Sequence, residues 1–178
     1  MADLGAEPLF DAEYEKNKAR VRNRALLLLD QRARSIHELR QRLLAAEFEP
    51  ALVSDVVADL VRCDLLNDEV FAAEWVRQRH HARGKSRRAL ELELIAKGIA
   101  PELREQALEG IDHEDESRMA RDLALKKVRT IRTAPNDRKE YDKLLRRVVG
   151  QLARRGYGES MSFSIAKQVL DERVQELR

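Results

Sequence analysis

The sequence predicts an all-α fold, built as an elongated, curved array of three tandem three-helix repeats with about nine helices. The composition favours helices, because Leu, Ala, Glu and Arg are abundant while the 178 residues include only seven Gly and four Pro. Aromatic residues make up 4%, and no β-branched or aromatic run reaches the length of a strand. A pattern that recurs at spacings of 51 and 58 residues indicates the repeats.

An acidic arm and a long helix begin the chain. Residues 1–15 carry five acids and no Lys or Arg, and we expect residues 1–12 to form a disordered arm. A helix is predicted from about Asp11 to Ala33, because apolar side chains recur there at the spacing of successive helical turns. These side chains are Val21, Ala25, Leu28 and Leu29.

The second and third helices complete the first repeat, residues 13–66. Ser35 and Glu38 have the spacing of a capping box, in which the hydroxyl and the carboxylate bind free backbone N–H groups at a helix start. Pro50 suits the first position of the third helix, because its missing N–H would have no partner there. Cys63 is the single cysteine, and we expect a buried helical thiol in a reducing compartment.

The second repeat, residues 67–112, opens with a helix that changes character along its length. Phe71 and Trp75 lie on one apolar stripe, which favours a core position for the indole over stacking on a nucleic-acid base. From Arg77 to Arg88 there are six Lys/Arg, two His and no Asp or Glu. A basic helix end suits the helix dipole, but a dozen residues without a carboxylate exceed that need and favour an anion-binding surface.

Glycine, serine and proline mark the later helix boundaries. Gly84 can end the fourth helix, Ser86 caps the fifth, and Gly98 stops it. Pro101 starts a short sixth helix. These boundaries give the second repeat three helices, like the first.

The third repeat, residues 113–178, follows an acidic stretch and supplies three more helices. Thr133-Ala134-Pro135-Asn136 separates its first two helices, and Gly156 ends the second. Aligning Phe48, Ile99 and Tyr157 places an apolar residue four positions later in every repeat. The larger second spacing suggests a small insertion at residues 158–163.

No motif indicates an enzyme, a metal or a cofactor, and we expect none. The four histidines lack HxxxH and HExxH spacing, and one cysteine cannot form CxxC. Gly84-Lys85-Ser86 resembles the end of a phosphate-binding loop, but Arg79 stands where that loop needs a glycine. Acids between Asp112 and Glu116 could hold a divalent ion for nuclease chemistry, although a charged run at a linker is more often solvated.

The hydropathy of the chain favours a cytoplasmic protein. No stretch of 18 apolar residues occurs, and the N-terminus has neither the basic nor the apolar segment of a secretion signal. We therefore expect no contact with membranes.

Five motifs, in order, resemble the RecX family of regulators of the RecA recombinase. They are RARSIHELRQRLL, LLNDEVFAAEWVRQR, GKSRRALELELIAKGI, ALKKV and LARRGY, and the resemblance covers about residues 20–171. Glu47 departs from the family pattern, which usually has Gly before the residue at Phe48.

The resemblance implies a regulator of recombination, DNA repair and the SOS response. Such a protein lies in the groove of the RecA–DNA filament and inhibits the ATPase, strand exchange and coprotease activities of RecA. The implied partners are the RecA filament and single-stranded or double-stranded DNA, and we expect a monomer. The alternative is a direct DNA-binding protein that acts by occupying DNA.

We predict that basic side chains from all three repeats form the surface that contacts RecA or DNA. They would pair with RecA carboxylates or with phosphates. The predicted contact residues are Arg32, Arg34, Arg79, Arg83, Lys85, Arg87, Arg88, Lys126, Lys127, Arg154 and Arg155.

Overall fold

Nine α-helices form the secondary structure of residues 7–178, the part of the chain that this computed structural model describes. They are α1 (Glu7–Gln31), α2 (Ile36–Leu44), α3 (Pro50–Arg62), α4 (Asp68–Arg83), α5 (Arg87–Ala96), α6 (Pro101–Leu108), α7 (His113–Val128), α8 (Arg138–Ala153) and α9 (Glu159–Glu176). Residues 7–178 contain no strand. The predicted all-α fold of three successive helix triples is therefore confirmed.

Two expectations about the N-terminal third need correction. Helix α1 begins at Glu7, four residues before its predicted start, and residues 1–6 of the predicted arm lie outside the described part of the chain. Cys63 is exposed, so the prediction of a buried thiol was wrong. It is the C-cap of α3, where the chain leaves the helix. In the described chain, no helix is both long and apolar enough to span a membrane.

The described residues divide into two compact units, each with its own aliphatic core. The N-terminal unit comprises residues 7–72 and 95–103, and the C-terminal unit comprises residues 73–94 and 104–178. Helices α1 to α3 enclose the first core, whose fully buried members include Val21, Ala25, Leu39, Leu43 and Val56. Helices α7 to α9 enclose the second, whose fully buried members include Ala120, Leu152, Ala166, Val169 and Leu170.

A joint between successive repeats lies inside the N-terminal unit. Ser35 caps α2 by accepting from the Glu38 N–H at 3.1 Å, and its hydroxyl donates to the Lys97 carbonyl at 2.7 Å. The Ile36 N–H donates to the Asp68 carboxylate at 2.8 Å. Only the serine half of the predicted capping box forms, because the Glu38 carboxylate binds Arg32 and Lys97 instead.

The same joint recurs inside the C-terminal unit. The Ser86 N–H donates to the Arg155 carbonyl at 3.0 Å, and the Arg87 N–H donates to the Glu116 carboxylate at 2.9 Å. In both joints the carboxylate comes from the first helix of the following repeat, and the carbonyl precedes a glycine, Gly98 or Gly156. Equivalent residues meet in both joints, although the serine donates from its hydroxyl in the first and from its N–H in the second. This recurrence supports an internal repeat.

Each of the two joints requires a glycine, at the position after the carbonyl that accepts from the serine. Gly98 has a φ of 71° and Gly156 a φ of 91°, in the left-handed region that glycine adopts without cost. A Cβ at these positions would lie 2.5 Å from the Cβ of His37 and 2.5 Å from the hydroxyl of Ser86, respectively. Glu47 occupies the corresponding position of the first repeat, with a φ of 61°.

The extra residues of the third repeat lie in α8. Helix α9 begins two residues after Tyr157, as α3 begins two residues after Phe48, so no insertion follows Gly158. Ser35 and Ser86 precede Glu47 and Gly98 by 12 residues each, whereas the α8 cap, Asp137, precedes Gly156 by 19. This seven-residue excess equals the difference between the repeat spacings of 51 and 58. The predicted place of the insertion was wrong.

Candidate anion-binding cleft

A basic cleft of about 510 Å³ lies within the C-terminal unit, between the ends of α4 and α8. Its lining residues are Ala82, Arg83, Lys85, Gln151, Arg154 and Arg155. Four of the six are cationic and none is acidic. The cleft therefore offers clustered positive charge together with hydrogen-bond donors, which is the chemistry that holds phosphates or carboxylates.

The C-terminal end of α4 fixes one wall of the cleft. Gly84, with a φ of 59°, ends the helix, and its N–H donates to the His80 carbonyl at 2.8 Å. The Lys85 N–H turns back to the Arg79 carbonyl at 3.1 Å. His80 is 5% exposed, and its Nδ1 lies 2.9 Å from the Lys85 carbonyl oxygen. Since that oxygen only accepts, Nδ1 carries the proton and fixes the backbone beside the cleft.

The repeat joint fixes the opposite wall. Arg155 follows α8, and its carbonyl accepts the hydrogen bond from the Ser86 N–H. Gly156 lets the chain pass close to Ser86 and Ala89 at this point. The contact that holds the second and third repeats together therefore also brings the basic ends of α4 and α8 into one cleft.

Four of the predicted contact residues meet in this cleft. Arg83 and Arg154 are exposed and Arg155 is half-buried. None of these three forms an ion pair with another residue in the described part of the chain. Lys85 is 32% exposed and pairs with the Glu93 carboxylate. The cleft thus has three uncompensated arginines and one compensated lysine.

Four other predicted contact residues, all arginines, have partners within the protein. Arg34 is 7% exposed, and its Nε donates to the Leu28 carbonyl at 2.9 Å. Burial lowers the pKa of the Arg34 guanidinium, and the neighbouring charge of Arg32 lowers it further. The Arg87 guanidinium donates to the carbonyls of Leu108 and Ile111. We leave both arginines out of the proposed surface, because their donors hold backbone carbonyls.

The third of these residues, Arg79, stacks on Trp75. Its guanidinium carbon lies 3.2 Å from the centroid of the indole ring, and its Nε lies 3.2 Å from a Glu93 carboxylate oxygen. Trp75 is half-buried and donates from Nε1 to Glu93 at 2.9 Å. One face of the indole is therefore covered by a guanidinium, which does not favour stacking on a base at that face.

The remaining predicted contact residues lie outside the cleft. Arg32, in the N-terminal unit, pairs with Glu38 at 2.9 Å. Arg88 and Lys126 are exposed and Lys127 is half-buried. Sequence reasoning missed Gln151 and Glu93, because the contacts that bring them to the basic ends join different helices and leave no spacing signal.

Three of the four acids between Asp112 and Glu116 have structural partners. Asp112 caps α7 by accepting from the Asp115 N–H at 2.8 Å. Asp115 pairs with Arg118, and Glu116 accepts from the Arg87 N–H. Within residues 7–178, no group of three or more His, Cys, Asp or Glu side chains is placed to hold a metal ion.

Comparisons with known proteins identify the family. The family model for the first three-helix domain of RecX matches residues 22–60, and that for the second three-helix domain matches residues 67–108. A regulatory protein RecX from Corynebacterium efficiens is 55% identical over 173 residues, covering 97% of this chain and 82% of the relative. A regulatory protein RecX from Streptomyces coelicolor is 38% identical, covering 83% and 76%.

Solved structures share the fold. The crystal structure of RecX from Lactobacillus salivarius has a TM-score of 0.69 and 21% identity, covering 87% of this chain and 97% of that one. A second crystal structure of a regulatory protein RecX has a TM-score of 0.72 and 23% identity, covering 94% and 79%. The sequence relatives and the two domain matches together show that this chain belongs to the RecX family of regulatory proteins.

Proposed function

We propose that this chain binds the filament that RecA forms on DNA, along its groove, and inhibits RecA. The activities affected would be its ATPase, strand exchange and coprotease activities, and the protein would act as a monomer in the cytoplasm to modulate recombination and DNA repair. Membership of a family of regulatory proteins supports a regulatory role. The observation that carries the proposal is the cleft, in which four cations predicted as contact residues meet without an acidic neighbour in the lining.

A polymeric partner suits a surface of this kind. Exposed charge pairs contribute little individually, so one small cleft would not hold a folded protein tightly. A filament offers many equivalent anionic sites along its length, and contacts made at several of them at once raise the overall affinity. Exposed cations outside the cleft, such as Arg88 and Lys126, would add to this attraction.

The DNA-dependent ATPase of RecA on single-stranded DNA tests the proposal. The protein is titrated from far below to above the RecA concentration. We expect inhibition at strongly substoichiometric amounts, because one bound molecule would affect many subunits of a filament or its growing end. Absence of inhibition at all concentrations would contradict the proposed function.

The alternative is a protein that occupies DNA directly and hinders RecA only by competition. The cleft gives this reading specific support, because its cations and its lack of large apolar side chains suit a phosphate backbone. It predicts inhibition only when the protein is abundant enough to coat the DNA. It also predicts tight binding to naked DNA, with log affinity falling by roughly 0.7 per contacted phosphate of a single strand for each tenfold rise in salt.

A further inference from the structure

The carboxylate of Glu93 on α5 contacts three donors beside the cleft, from Trp75, Arg79 and Lys85. Its Oε2 accepts from the Trp75 indole at 2.9 Å and lies 3.2 Å from Arg79 Nε. Its Oε1 pairs with the Lys85 ammonium. Glu93 does not line the cleft itself, but it binds Lys85, the one cleft cation with an acidic partner among the described residues.

The ion pair with Glu93 distinguishes Lys85 from the three cleft arginines. Arg83, Arg154 and Arg155 have no ion-pair partner among the described residues, so an incoming anion would displace only water and salt ions from them. At Lys85 the anion would first have to replace Glu93. A partly exposed ion pair contributes little stability, so a phosphate already held by three arginines can make that replacement.

The indole and Arg79 keep Glu93 in place after such a replacement. The Glu93 side chain is 24% exposed, and it would retain its hydrogen bond from Trp75 and its contact with Arg79 if Lys85 turned away. The carboxylate therefore remains beside the cleft, available to recapture Lys85 when the ligand leaves.

The cleft lining favours a phosphodiester backbone over a protein surface as this ligand. Tight protein–protein contacts depend on aromatic or arginine anchors in fully desolvated pockets. The cleft arginines are exposed or half-buried, and among the described residues Ala82 is the single apolar member of the lining. A nucleic-acid backbone needs no such anchor, because it gains affinity from the release of its condensed counterions.

We propose that Glu93 is a built-in competitor for the phosphate backbone: it holds Lys85 in the unbound protein and so limits the affinity of the cleft. The inference rests on the proposed function and specifies the ligand of the cleft. A protein that must not coat all cellular DNA benefits from a cleft that binds weakly alone, while additional contacts on a filament raise the affinity.

The test compares Glu93→Gln with a matched control, Glu91→Gln. Both variants remove one negative charge from α5, but Glu91 is exposed and has no ion-pair partner in the described chain. Glutamine at position 93 can still accept from Trp75, while it releases the charge of Lys85. Binding of a labelled oligodeoxythymidine is measured by fluorescence anisotropy over a range of salt concentrations, and circular dichroism checks that each variant folds.

We expect Glu93→Gln to bind the oligonucleotide about fivefold more tightly than Glu91→Gln in about 0.1 M salt, with a slope of log affinity against log salt steeper by about 0.7. Adding Lys85→Gln to Glu93→Gln should remove this gain. Equal binding by the two single variants, or weaker binding by Glu93→Gln, would overturn the inference.

A second comparison separates this inference from the proposed function. If the wild type inhibits the RecA ATPase and yet none of the variants binds the oligonucleotide, the phosphodiester assignment is wrong and the proposed function stands. If the wild type binds the oligonucleotide without affecting RecA, the proposed function is wrong, and the comparison of the two variants still decides the role of Glu93.

Discussion

Glu38 on α2 has a carboxylate that binds two cations in the N-terminal unit. Its carboxylate lies 2.9 Å from an Arg32 nitrogen and bonds to the Lys97 ammonium, while its side chain is only 15% exposed. Burial alone would raise the pKa of Glu38, but the hydrogen bonds and charges of Arg32 and Lys97 outweigh it and lower the pKa to about 2. The contact links α2 to the chain that follows α5, so it stabilises the joint.

The first prediction concerns the pH dependence of this contact. Because the folded-state pKa lies below the usual value near 4.5, the ionised Glu38 stabilises the fold above about pH 4.5, and the contribution is lost as the pH falls towards 2. Glu38→Gln should cost roughly 1–2 kcal/mol of unfolding free energy at neutral pH and progressively less below pH 4.5. Urea unfolding of both proteins across this range measures the difference. A difference in unfolding free energy that stays constant with pH would contradict the stabilising role of the ionised Glu38.

The second prediction separates a structural arginine from a surface arginine. Arg34→Ala removes a buried charged donor and leaves the Leu28 carbonyl without its partner, so we expect a loss of roughly 2–3 kcal/mol of unfolding free energy. Arg88→Ala removes an exposed side chain and should change stability by less than about 0.5 kcal/mol. Thermal or urea unfolding checks both values. Similar losses in the two variants would contradict the burial of Arg34.

The sequence could not distinguish these two kinds of arginine. Arg34 and Arg87 lie in basic stretches, as surface residues do, yet their guanidinium groups hold carbonyls. Those carbonyls belong to Leu28 and to Leu108 and Ile111, and only the packing of the helices decides whether an arginine reaches them. The spacing of charges predicts which stretches are basic, not which of their side chains are free.

At the scale of the helices, the repeat joint restricts the sequence strongly. Gly98 and Gly156 combine a positive φ with close approach to the preceding repeat, so any Cβ there is strained twice. Glu47, at the corresponding position of the first repeat, carries a full side chain and lies in neither of the two joints described above. The departure of Glu47 from the family pattern has a structural context, since the joint needs glycine only where two repeats meet.

The third prediction tests the joint with three alanine substitutions. Gly98→Ala and Gly156→Ala should each cost roughly 2–4 kcal/mol of unfolding free energy, since the left-handed backbone and the close contact both oppose a Cβ. Gly110→Ala is the control, because a Cβ there meets nothing within 4 Å, and it should change stability by less than about 0.5 kcal/mol. Chemical unfolding monitored by circular dichroism gives all three values. Equal losses of unfolding free energy at the three glycines would contradict the requirement for glycine in the joint.

A fourth prediction concerns Glu47. Replacing it with Gly removes the backbone strain of a residue that has a Cβ at a φ of 61°. We therefore expect a gain of up to about 1 kcal/mol of unfolding free energy. The same unfolding measurement checks it, and a clear loss of stability would mean that the Glu47 side chain makes a stabilising contact.

Helix order and most helix ends could be predicted, because caps and glycines act locally. Ser35, Pro50, Gly84 and Pro101 mark boundaries where their own backbone chemistry requires them. The extra length of α8 could not be located, since a longer helix leaves no break in the apolar pattern. The contacts of the joint were also not predictable, because they depend on the packing of distant segments.

For the whole molecule, local clustering of charge matters more than net charge. A formal charge of +2 on 178 residues attracts a polyanion only weakly. The cleft places four cations from two repeats at one site, and the sequence predicted all four as contact residues without predicting that they meet. Their meeting depends on the Ser86 contact with Arg155, which joins segments 69 residues apart.

The cleft also changes which substitutions test the function. Reversing Arg83, Lys85, Arg87 and Arg88 together would follow from the basic run alone, but the Arg87 guanidinium bonds to the Leu108 and Ile111 carbonyls, so this variant would lose stability as well as charge. The combination Arg83→Glu, Arg154→Glu and Arg155→Glu reverses only cations without an ion-pair partner in the described chain. Its matched control is Arg20→Glu, Arg40→Glu and Arg42→Glu, three exposed arginines of the N-terminal unit that also lack such partners.

The most direct measurement is co-sedimentation of the wild type and the two triple variants with RecA filaments assembled on single-stranded DNA. We expect the cleft variant to bind about 100-fold more weakly than the wild type in about 0.1 M salt, and the control variant to lose much less affinity despite its identical net charge. All three proteins should show the same helical circular dichroism. Equal loss of binding in the two triple variants would show that net charge, and not the cleft, controls binding to the filament.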